Sequence, residues 1–403
     1  MKSITRSRIL SSLLLLGASV ALAGPITTVP WNGSTGAFSL TYDDARNTQI
    51  PNLIPAVDAL GIKVTFFITN MYSFPSQKAD WIKAAKNGHE LANHTSDHSS
   101  PTSSNVSSMA STLRALDPVV DAVTFAYPNC TVSGTSNVSA EAFMGRGCSQ
   151  ATYSWATEPS DWMNIQGLII NSGAPTPGVN LVNTAKSGNS WGLTIIHDVG
   201  PNPDQYSLTV ADNQKILDAV VASKVWVAPY GTVGAYYRAH FKMDAVTVSG
   251  SSPWNLTWTS PHPKMPKVVK LKVKLATATF GSTFTVSQDN VAIPANSDGS
   301  YTIDFMKLKM SVTSGTAGID NRTIYGNARA SVTGSSLVFT DMTPGTYDVS
   351  FRTVSGALLD RATLSASSAE EHLALPASAR GRRILAVLEA PGMDSRTIPV
   401  LVP

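Results

Sequence analysis

The chain has few of the features that mark several common protein classes. Two cysteines, Cys130 and Cys148, occur among 403 residues. A structural zinc site built on these two cysteines is therefore excluded, because such a site needs further thiolates or nearby histidines to complete its four ligands. Charged residues make up only 14% of the chain, the formal net charge is +3, and no dense block of Lys and Arg is present. Nucleic acid is not an expected partner, since its phosphates require concentrated positive charge.

What is present describes an ordinary folded protein with more than one domain. Hydrophobic residues make up 43% of the chain, which differs clearly from the composition of disordered proteins. Because 403 residues exceed the usual size of a single hydrophobic core, we expect two or three domains.

The N-terminus has the pattern of an export signal. A basic start and a mostly apolar run over residues 9–21 precede Ala21-Leu22-Ala23, which fits the small-residue cleavage pattern. A membrane anchor is the alternative, but the run is too short for a comfortable span. We therefore expect a signal peptide over residues 1–23, cleavage after Ala23, and a secreted, periplasmic or cell-surface protein. No stable membrane insertion is expected after cleavage, because no other segment is apolar enough to cross a bilayer.

The two cysteines are interpreted in the light of this export signal. In an oxidising compartment Cys130 and Cys148 are expected to form a disulfide that closes a short loop. Two free buried thiols are the alternative.

Residues 24–240 alternate between strand-like and helix-like stretches. Short apolar strands are predicted at Ala37–Tyr42, Lys63–Ile68, His89–Leu91, Val123–Tyr127, Gly167–Asn171, Gly192–Ile196 and Val225–Ala228. Helices are predicted at Gln49–Leu60, Trp81–Asn87 and Ala211–Ser223. The alternation indicates an α/β fold with βα units around a parallel sheet or barrel. In such folds the catalytic side chains lie on loops that leave the C-terminal ends of the strands.

The pattern changes after His240. Alternating apolar and polar residues between Gly, Ser, Pro and Asn turns predict an all-β, sandwich-like C-terminal region. We expect a β-rich domain over residues 241–310, a Gly/Ser/Thr-rich linker over 311–336, and a C-terminal β domain over 337–403. This last domain resembles the terminal domains that bacterial export systems use as sorting signals.

One group of residues carries the chemistry of a metal site. Asp43 and Asp44 follow a predicted strand, and His94 and His98 stand four residues apart in a short polar run. A helical turn would place both imidazoles on one face. Adjacent carboxylates repel each other and need a cation or a shared proton. One aspartate and two histidines form the three-ligand set that catalytic zinc prefers. Two ordinary surface or core histidines are the alternative.

The sequence resembles a known family in three segments. They are Ser39-Leu40-Thr41-Tyr42-Asp43-Asp44, His94-Thr95-Ser96-Asp97-His98 and Thr194-Ile195-Ile196-His197. In this order they resemble the motifs of polysaccharide deacetylases with a NodB-type domain, the family-4 carbohydrate esterases. The resemblance covers residues 37–237. It implies a distorted (β/α) barrel, here a catalytic domain over residues 24–240, and a divalent metal. The metal would be Zn²⁺, with Co²⁺, Ni²⁺ or Mn²⁺ as alternatives, and the substrate an acetylated polysaccharide or oligosaccharide.

The resemblance also implies roles for individual residues. Asp44 would bind the metal together with His94 and His98. Asp43 would be the general base that deprotonates the attacking water, and His197 would be the general acid for the leaving group. A histidine with a pKa near neutrality suits that last role.

A fourth segment, Glu158-Pro159-Ser160-Asp161-Trp162, resembles a weaker motif of the family. It implies that Asp161 orients His197 and that Trp162 forms a wall of the substrate pocket. A loop acid beside a core tryptophan is the alternative.

The sequence departs from the family in the segment Phe125-Ala126-Tyr127-Pro128-Asn129-Cys130. The family has an arginine, which holds the catalytic aspartate, where this chain has Ala126. Tyr127 and Asn129 are expected beside the substrate, and the backbone N–H after Pro128 can still stabilise an oxyanion, because that role does not depend on the side chain. We expect Arg146 to replace the missing arginine, since a Cys130–Cys148 bridge would bring it towards this turn.

Two functions of different classes follow. The first is a secreted, metal-dependent deacetylase that removes N-acetyl groups (from chitin-like or peptidoglycan-like chains) or O-acetyl groups (from acetylxylan-like chains). The second is a carbohydrate-binding or adhesive protein on the same barrel with weak or no turnover. The absent arginine favours the second function, and the presence of all five central residues favours the first.

Overall fold

The computed structural model of the protein describes residues 24–116, 120–201, 203–243, 245–314, 329–333, 335–340, 345–354, 357–366, 370–389 and 396–402. The predicted signal peptide and residues 315–328 of the predicted linker lie outside the described residues. Contacts divide the described chain into two units. The first comprises residues 24–250, 255–281 and 295–310, and the second comprises 251–254, 282–294 and the described residues from 311 onwards.

A closed barrel of seven parallel strands forms the centre of the first unit. Ten strands precede the C-terminal antiparallel region in the described chain, and seven of them form the barrel. They are β1 (Ile26–Thr28), β2 (Ala37–Asp43), β3 (Thr65–Ile68), β4 (Glu90–Asn93), β5 (Thr124–Ala126), β6 (Met144–Cys148), β7 (Tyr153–Ser154), β8 (Ile165–Ile169), β9 (Ser190–Ile196) and β10 (Trp226–Val227). The barrel order is β2-β3-β4-β5-β6-β8-β9, and β9 pairs back with β2 in parallel. The predicted α/β barrel fold is confirmed.

The helices pack around this barrel. They are α1 (Ile54–Ala59), α2 (Lys78–Lys86), α3 (Ser103–Arg114), α4 (Thr135–Ser139), α5 (Thr176–Ser187), α6 (Val210–Ser223) and α7 (Tyr230–Met243). A π-helical segment, Gln49–Leu53, leads into α1. Thr102 starts α3 with a reciprocal capping box to Asn105, and Thr209 caps α6 through the N–H of Asp212. These caps satisfy N–H groups that a helix start leaves free.

The seven strands deliver the polar residues to one rim. Every residue of β2 and β9 is buried, as expected for parallel strands covered on both faces. Asp43 ends β2, His94 follows β4, and His197 follows β9. Because parallel strands end at the same edge, these residues meet at the C-terminal rim.

Antiparallel strands follow the barrel in sequence. They are β11 (Thr247–Ser249), β12 (Trp254–Thr257), β13 (Lys270–Leu275), β14 (Phe284–Gln288), β15 (Val291–Ile293), β16 (Tyr301–Asp304) and β17 (Lys309–Ser314), with a short helix α8 (Thr277–Phe280) after β13. Strand β13 pairs with β1 on one side and β16 on the other. This pairing explains why residues 255–281 and 295–310 group with the barrel by their contacts.

The second unit contains the C-terminal strands. They are β18 (Arg329–Thr333), β19 (Ser336–Thr340), β20 (Gly345–Thr353), β21 (Leu358–Ala366), β22 (Glu370–Ala374), β23 (Arg383–Glu389) and β24 (Arg396–Leu401). They form two antiparallel sheets, β18-β19-β22 and β21-β20-β23-β24. One hydrophobic core joins Leu337 and Phe339 of the first sheet with Val349, Phe351 and Ala386 of the second. The all-β, sandwich-like character predicted for this region is confirmed.

No helix within the described ranges is long and apolar enough to cross a membrane.

Candidate metal centre and active site

Asp44, His94 and His98 converge on one point of the rim. Asp44 Oδ1 lies 3.3 Å from Nε2 of His98 and 3.6 Å from Nε2 of His94. The ligand atoms of these three residues all lie within 4.8 Å of one another. Within the described part of the chain, no other group of three His, Cys, Asp or Glu residues is close enough to hold a metal ion. The structure thus brings the three predicted ligands together.

A loop, and not a helical turn, brings the two imidazoles together. Thr95 and His98 adopt left-handed backbone conformations, with φ of 60° and 52°. Asn93 Oδ1 accepts a hydrogen bond from the N–H of Thr95 and holds the start of this loop. The ring centroids of His94 and His98 are 4.9 Å apart. The helical turn considered from the spacing is therefore wrong, although its consequence, two imidazoles side by side, is the same.

Hydrogen bonds fix how the ligands present their free atoms. Nδ1 of His94 donates to the carbonyl of Ala126 at 2.8 Å, which leaves Nε2 as the ring atom that can bind a metal. Burial lowers the pKa of His94 and keeps it neutral. Burial acts to raise the pKa of Asp44, but the neighbouring His98 and His94 imidazoles outweigh it and hold that pKa well below its usual range.

The residues present fit a divalent cation. Asp44 Oδ1 is buried and has no hydrogen-bond donor within the described chain, although two imidazole nitrogens face it. Two imidazoles and one carboxylate are the donor set of catalytic zinc sites with an open position. A cation at this point would satisfy the otherwise unpaired oxygen.

Arg146 reaches Asp43 from β6, the strand next to β5. Its guanidinium Nη2 lies 2.7 Å from Oδ2 of Asp43, and the arginine side chain is fully buried. In the parallel pairing of β5 and β6, Arg146 is the direct partner of Ala126. Paired residues of a parallel sheet point to the same face, so the guanidinium enters the site beside the position where the family has its arginine. The Phe67 ring lies 4.8 Å below the guanidinium carbon.

The turn after β5 is joined to the end of β6. Cys130 and Cys148 form a disulfide, and Asn129 and Cys130 adopt left-handed conformations with φ of 53° and 58°. The N–H groups of Cys130 and Thr131 donate to the carbonyls of Tyr127 and Pro128. Among the described residues, none accepts a hydrogen bond from the backbone N–H of Asn129.

A cavity of about 240 Å³ opens at this point of the rim. Its lining residues are Asp43, His94, His98, Tyr127, Asn129, Cys130, Cys148, Ile169, Ile195, His197 and Tyr206. The Tyr127 hydroxyl is buried without a partner within the described residues, and burial raises its pKa, so the phenol stays protonated. The cavity thus combines carboxylate, imidazole and phenol groups with an apolar wall.

The surroundings of His197 differ from the expectation. Its backbone N–H donates to Tyr206, whose ring makes an edge contact with the imidazole at 5.4 Å. Burial acts to raise the pKa of Asp204, but hydrogen bonds from Ser207 and the N–H of Tyr206, with His197 and Arg46 nearby, lower it below its usual range. Asp161 instead accepts a hydrogen bond from the N–H of Met163 at 2.8 Å, and no contact between Asp161 and His197 occurs in the described structure.

Trp162 also lies away from the cavity. Its indole N–H donates to Glu158, and its ring packs against Tyr237, Phe241 and the guanidinium of Arg238. The contacts described for Asp161 and Trp162 include neither His197 nor the cavity, and the roles expected for the two residues stay predictions. The alternative interpretation of this segment, a loop acid beside a core tryptophan, describes it better.

Residues 188–192 match a Gly-x-Ser-x-Gly pattern, with Ser190 at its centre. Ser190 begins β9, at the end of the strand opposite the rim. Its buried hydroxyl has no hydrogen-bond partner among the described residues. A serine nucleophile needs an adjacent base, so this motif does not form a serine-esterase site.

Sequence reasoning missed Arg46 and Gln49. Arg46 donates through Nε to Asp44 Oδ2 at 3.0 Å, and its guanidinium carbon lies 3.9 Å from the Tyr72 ring centroid. The signal for Arg46 is its position two residues after a carboxylate pair. Gln49 bonds to backbone carbonyls at the ends of two strands, and nothing in its sequence position indicates this.

Residues 32–141 match the family model described as polysaccharide deacetylase. No curated protein matches the chain. Several solved structures resemble it. The catalytic domain of peptidoglycan N-acetylglucosamine deacetylase from Eubacterium rectale is 20% identical, with 53% of this chain and 94% of that chain covered and a TM-score of 0.35.

Two further solved structures cover a similar share. The chitin deacetylase from Colletotrichum lindemuthianum is 16% identical, with 50% of this chain and 88% of that chain covered and a TM-score of 0.35. A family 4 acetyl xylan esterase from Clostridium thermocellum, in complex with a cobalt ion, is 17% identical, with 49% and 89% covered and a TM-score of 0.35.

The family match includes the carboxylate pair, both histidines of the metal centre and the turn after β5, while Arg146 and His197 lie beyond it. The resemblance found in the sequence motifs is thereby confirmed: residues 32–141 carry a polysaccharide deacetylase domain match, on a barrel of the expected type.

Proposed function

We propose that the protein hydrolyses acetyl groups on a glycan and releases acetate, using a divalent cation held by Asp44, His94 and His98. Two imidazoles and one carboxylate suit Zn²⁺, and Co²⁺, Ni²⁺ and Mn²⁺ are the alternatives. When bound, such a cation supplies a Lewis acid that acidifies water and polarises the acetyl carbonyl.

Asp43 is the proton acceptor in this proposal. Its Oδ2 is held by Arg146 at 2.7 Å, whereas its Oδ1 is buried and has no donor in the described chain. One oxygen is thus fixed and the other can take a proton from the attacking water. This division of the two oxygens, next to the three-residue cluster, is the observation that carries the proposal.

The remaining groups complete the hydrolysis. The water oxygen adds to the acetyl carbon, and the N–H of Asn129 donates to the oxygen that becomes negative. The bond between the acetyl carbon and the nitrogen or oxygen of the sugar then breaks, and His197 gives its proton to the departing amine or alcohol. Tyr127 and Tyr206 line the space for the substrate. N-acetyl and O-acetyl groups need the same steps.

The position of Arg146 bears on the alternative function. The absence of an arginine at Ala126 favoured a sugar-binding protein without turnover. Because a buried arginine contacts Asp43 from the paired position, that argument loses its support. We therefore place the hydrolase first.

Export is part of the proposal. The basic and apolar start of the chain supports it, and so does the Cys130–Cys148 disulfide, since such bonds persist in oxidising compartments. Fractionation of expressing cells, with the N-terminus of the mature protein sequenced, tests this directly. Retention in the cytoplasm with residues 1–23 still attached would contradict it.

The test of the activity is acetate release by the purified protein. Chitooligosaccharides, peptidoglycan and acetylxylan are offered to the protein as purified, after chelation, and after addition of each candidate metal. We expect release from at least one glycan, loss on chelation and recovery with one metal. Binding of the glycans without acetate release under every condition would favour the sugar-binding alternative.

A further inference from the structure

Gln49 joins the two strand ends that carry the proposed proton acceptor and proton donor. In the parallel ladder of β2 and β9 the last pair is Tyr42 with Ile196. The next residue on each strand is Asp43 and His197. The ladder ends at that pair, so Asp43 and His197 are not themselves a register pair of the two strands.

The side-chain amide of Gln49 continues the ladder. Its Nε2 donates to the carbonyl of Asp43 and to the carbonyl of His197, each at 2.7 Å. Gln49 is fully buried, so no water competes for these bonds. A primary amide offers two N–H donors on one nitrogen, which is what two neighbouring carbonyls require.

The π-helical segment Gln49–Leu53 supports this contact. Thr48 donates to Asp198 Oδ1 at 2.5 Å, and Asn52 donates to the carbonyl of Val199 at 2.8 Å. Three consecutive residues after β9 are thus held by one short segment. Single π-turns are rare and often lie at functional sites.

We propose that Gln49 is a positioning residue that sets the spacing between Asp43 and His197, which rests on the proposed function. Asp43 is also held through its side chain by Arg146. His197 has no such ion pair in the described structure, so loss of Gln49 displaces mainly the imidazole. The affected step is the protonation of the leaving group.

The test replaces Gln49 with methionine, Gln49→Met, which keeps the length and burial of the side chain and removes both donors. The control is Asn52→Leu, which removes a bond from the same segment to a carbonyl two residues beyond His197. Two substrates are compared. An acetylated amino sugar oligomer needs a proton on its amine, and 4-nitrophenyl acetate releases a phenolate without one.

We expect Gln49→Met to lower kcat for the oligomer by up to about 10²-fold, the effect of a displacement of about 1 Å. KM and the affinity for the added metal stay unchanged, and the fall for 4-nitrophenyl acetate is much smaller. Asn52→Leu leaves the ratio of the two rates as in the wild type. Equal falls for both substrates would mean that Gln49 is merely structural and would overturn the proposal.

An NMR readout separates this inference from the proposed function. The imidazole signals of His197 should shift in Gln49→Met and stay in place in Asn52→Leu, while those of His94 and His98 stay in place in both. If the wild type releases no acetate, the proposed function fails, and the imidazole signals still decide about Gln49. Unmoved His197 signals in Gln49→Met would refute the positioning role in either case.

Discussion

On the side of the rim formed by β2 and β4, the polar side chains lie where their motifs predict them. On the side formed by β5 and β6, the guanidinium comes from a different sequence position than the one the family motif predicts. Asp44, His94 and His98 come together through loops that directly follow their strands. The guanidinium that contacts Asp43 comes from Arg146 on β6, and a disulfide joins the turn after β5 to that strand. The geometry of a site can therefore be kept while the residue that supplies one of its charges moves.

Removing a metal ligand should have the largest effect and tests the first side alone. We expect His94→Ala to abolish metal binding measured by calorimetry and to reduce acetate release by several orders of magnitude, since the cation is the proposed Lewis acid. The control is His372→Ala, at an exposed histidine of the second unit. Tight metal binding by His94→Ala would show that the cation lies elsewhere.

Breaking the Asp43–Arg146 pair tests the second side. Because both side chains are buried, Arg146→Met leaves an uncompensated carboxylate and should destabilise the fold by about 3–5 kcal/mol. We expect kcat to fall by about 10²-fold through misplacement of Asp43, with little change in metal affinity. Thermal unfolding, kinetics and calorimetry measure the three quantities.

Two double variants sharpen this test. Asp43→Asn with Arg146→Met removes both charges, so stability should recover while activity does not. Ala126→Arg with Arg146→Ala moves the guanidinium to the paired position and should restore part of kcat. If Ala126→Arg/Arg146→Ala folds but stays as slow as Arg146→Met, the equivalence of the two positions is wrong.

Removing the disulfide should have an intermediate effect on the second side. The sequence separation of Cys130 and Cys148 is 18, and a loop of this size is worth about 3 kcal/mol. We expect Cys130→Ser/Cys148→Ser to lower the midpoint of thermal unfolding and kcat, and to leave metal affinity as in the wild type, since the metal ligands lie on other strands. A parallel loss of metal affinity would mean that the two sides are not independent.

The smallest effects concern the acid near His197. Asp204 holds the loop after His197 through Ser207 and the N–H of Tyr206. Asp204→Asn should lower kcat modestly, whereas Asp161→Asn should leave it near the wild-type value. The opposite order would show that Asp161 supports His197 during turnover.

The sequence predicted the barrel better than it predicted how the site is held together. Strands such as β2 and β9 consist mainly of apolar residues with small polar residues between them, so the composition already indicates that they are buried. Strand β6, Met-Gly-Arg-Gly-Cys, escaped prediction because its glycines weaken the strand pattern. The structure explains them: a Cβ on Gly145 would meet the Met163 carbonyl oxygen at 2.6 Å, and one on Gly147 would clash with Asn164.

The features of the site that the sequence did not predict depend on contacts between segments far apart in the chain. The metal ligands could be predicted because two histidines and a carboxylate pair are distinctive residue types in short segments. Gln49, Asp204 and the loop conformation of His94 to His98 could not, because each depends on which strands are neighbours in space. The position of Arg146 was predicted through the cysteine pair, an inference that needed the disulfide as a link between β5 and β6.

The pairing of Ala126 with Arg146 has a consequence for how such chains are found. A search pattern that demands arginine at the last position of β5 would discard this protein, although Arg146 supplies a guanidinium to Asp43. A pattern that accepts arginine at either member of a cross-strand pair would retain it. When distantly related parallel barrels are compared, a pair of positions that face each other on neighbouring strands should therefore be treated together, and not as two separate columns of a sequence alignment.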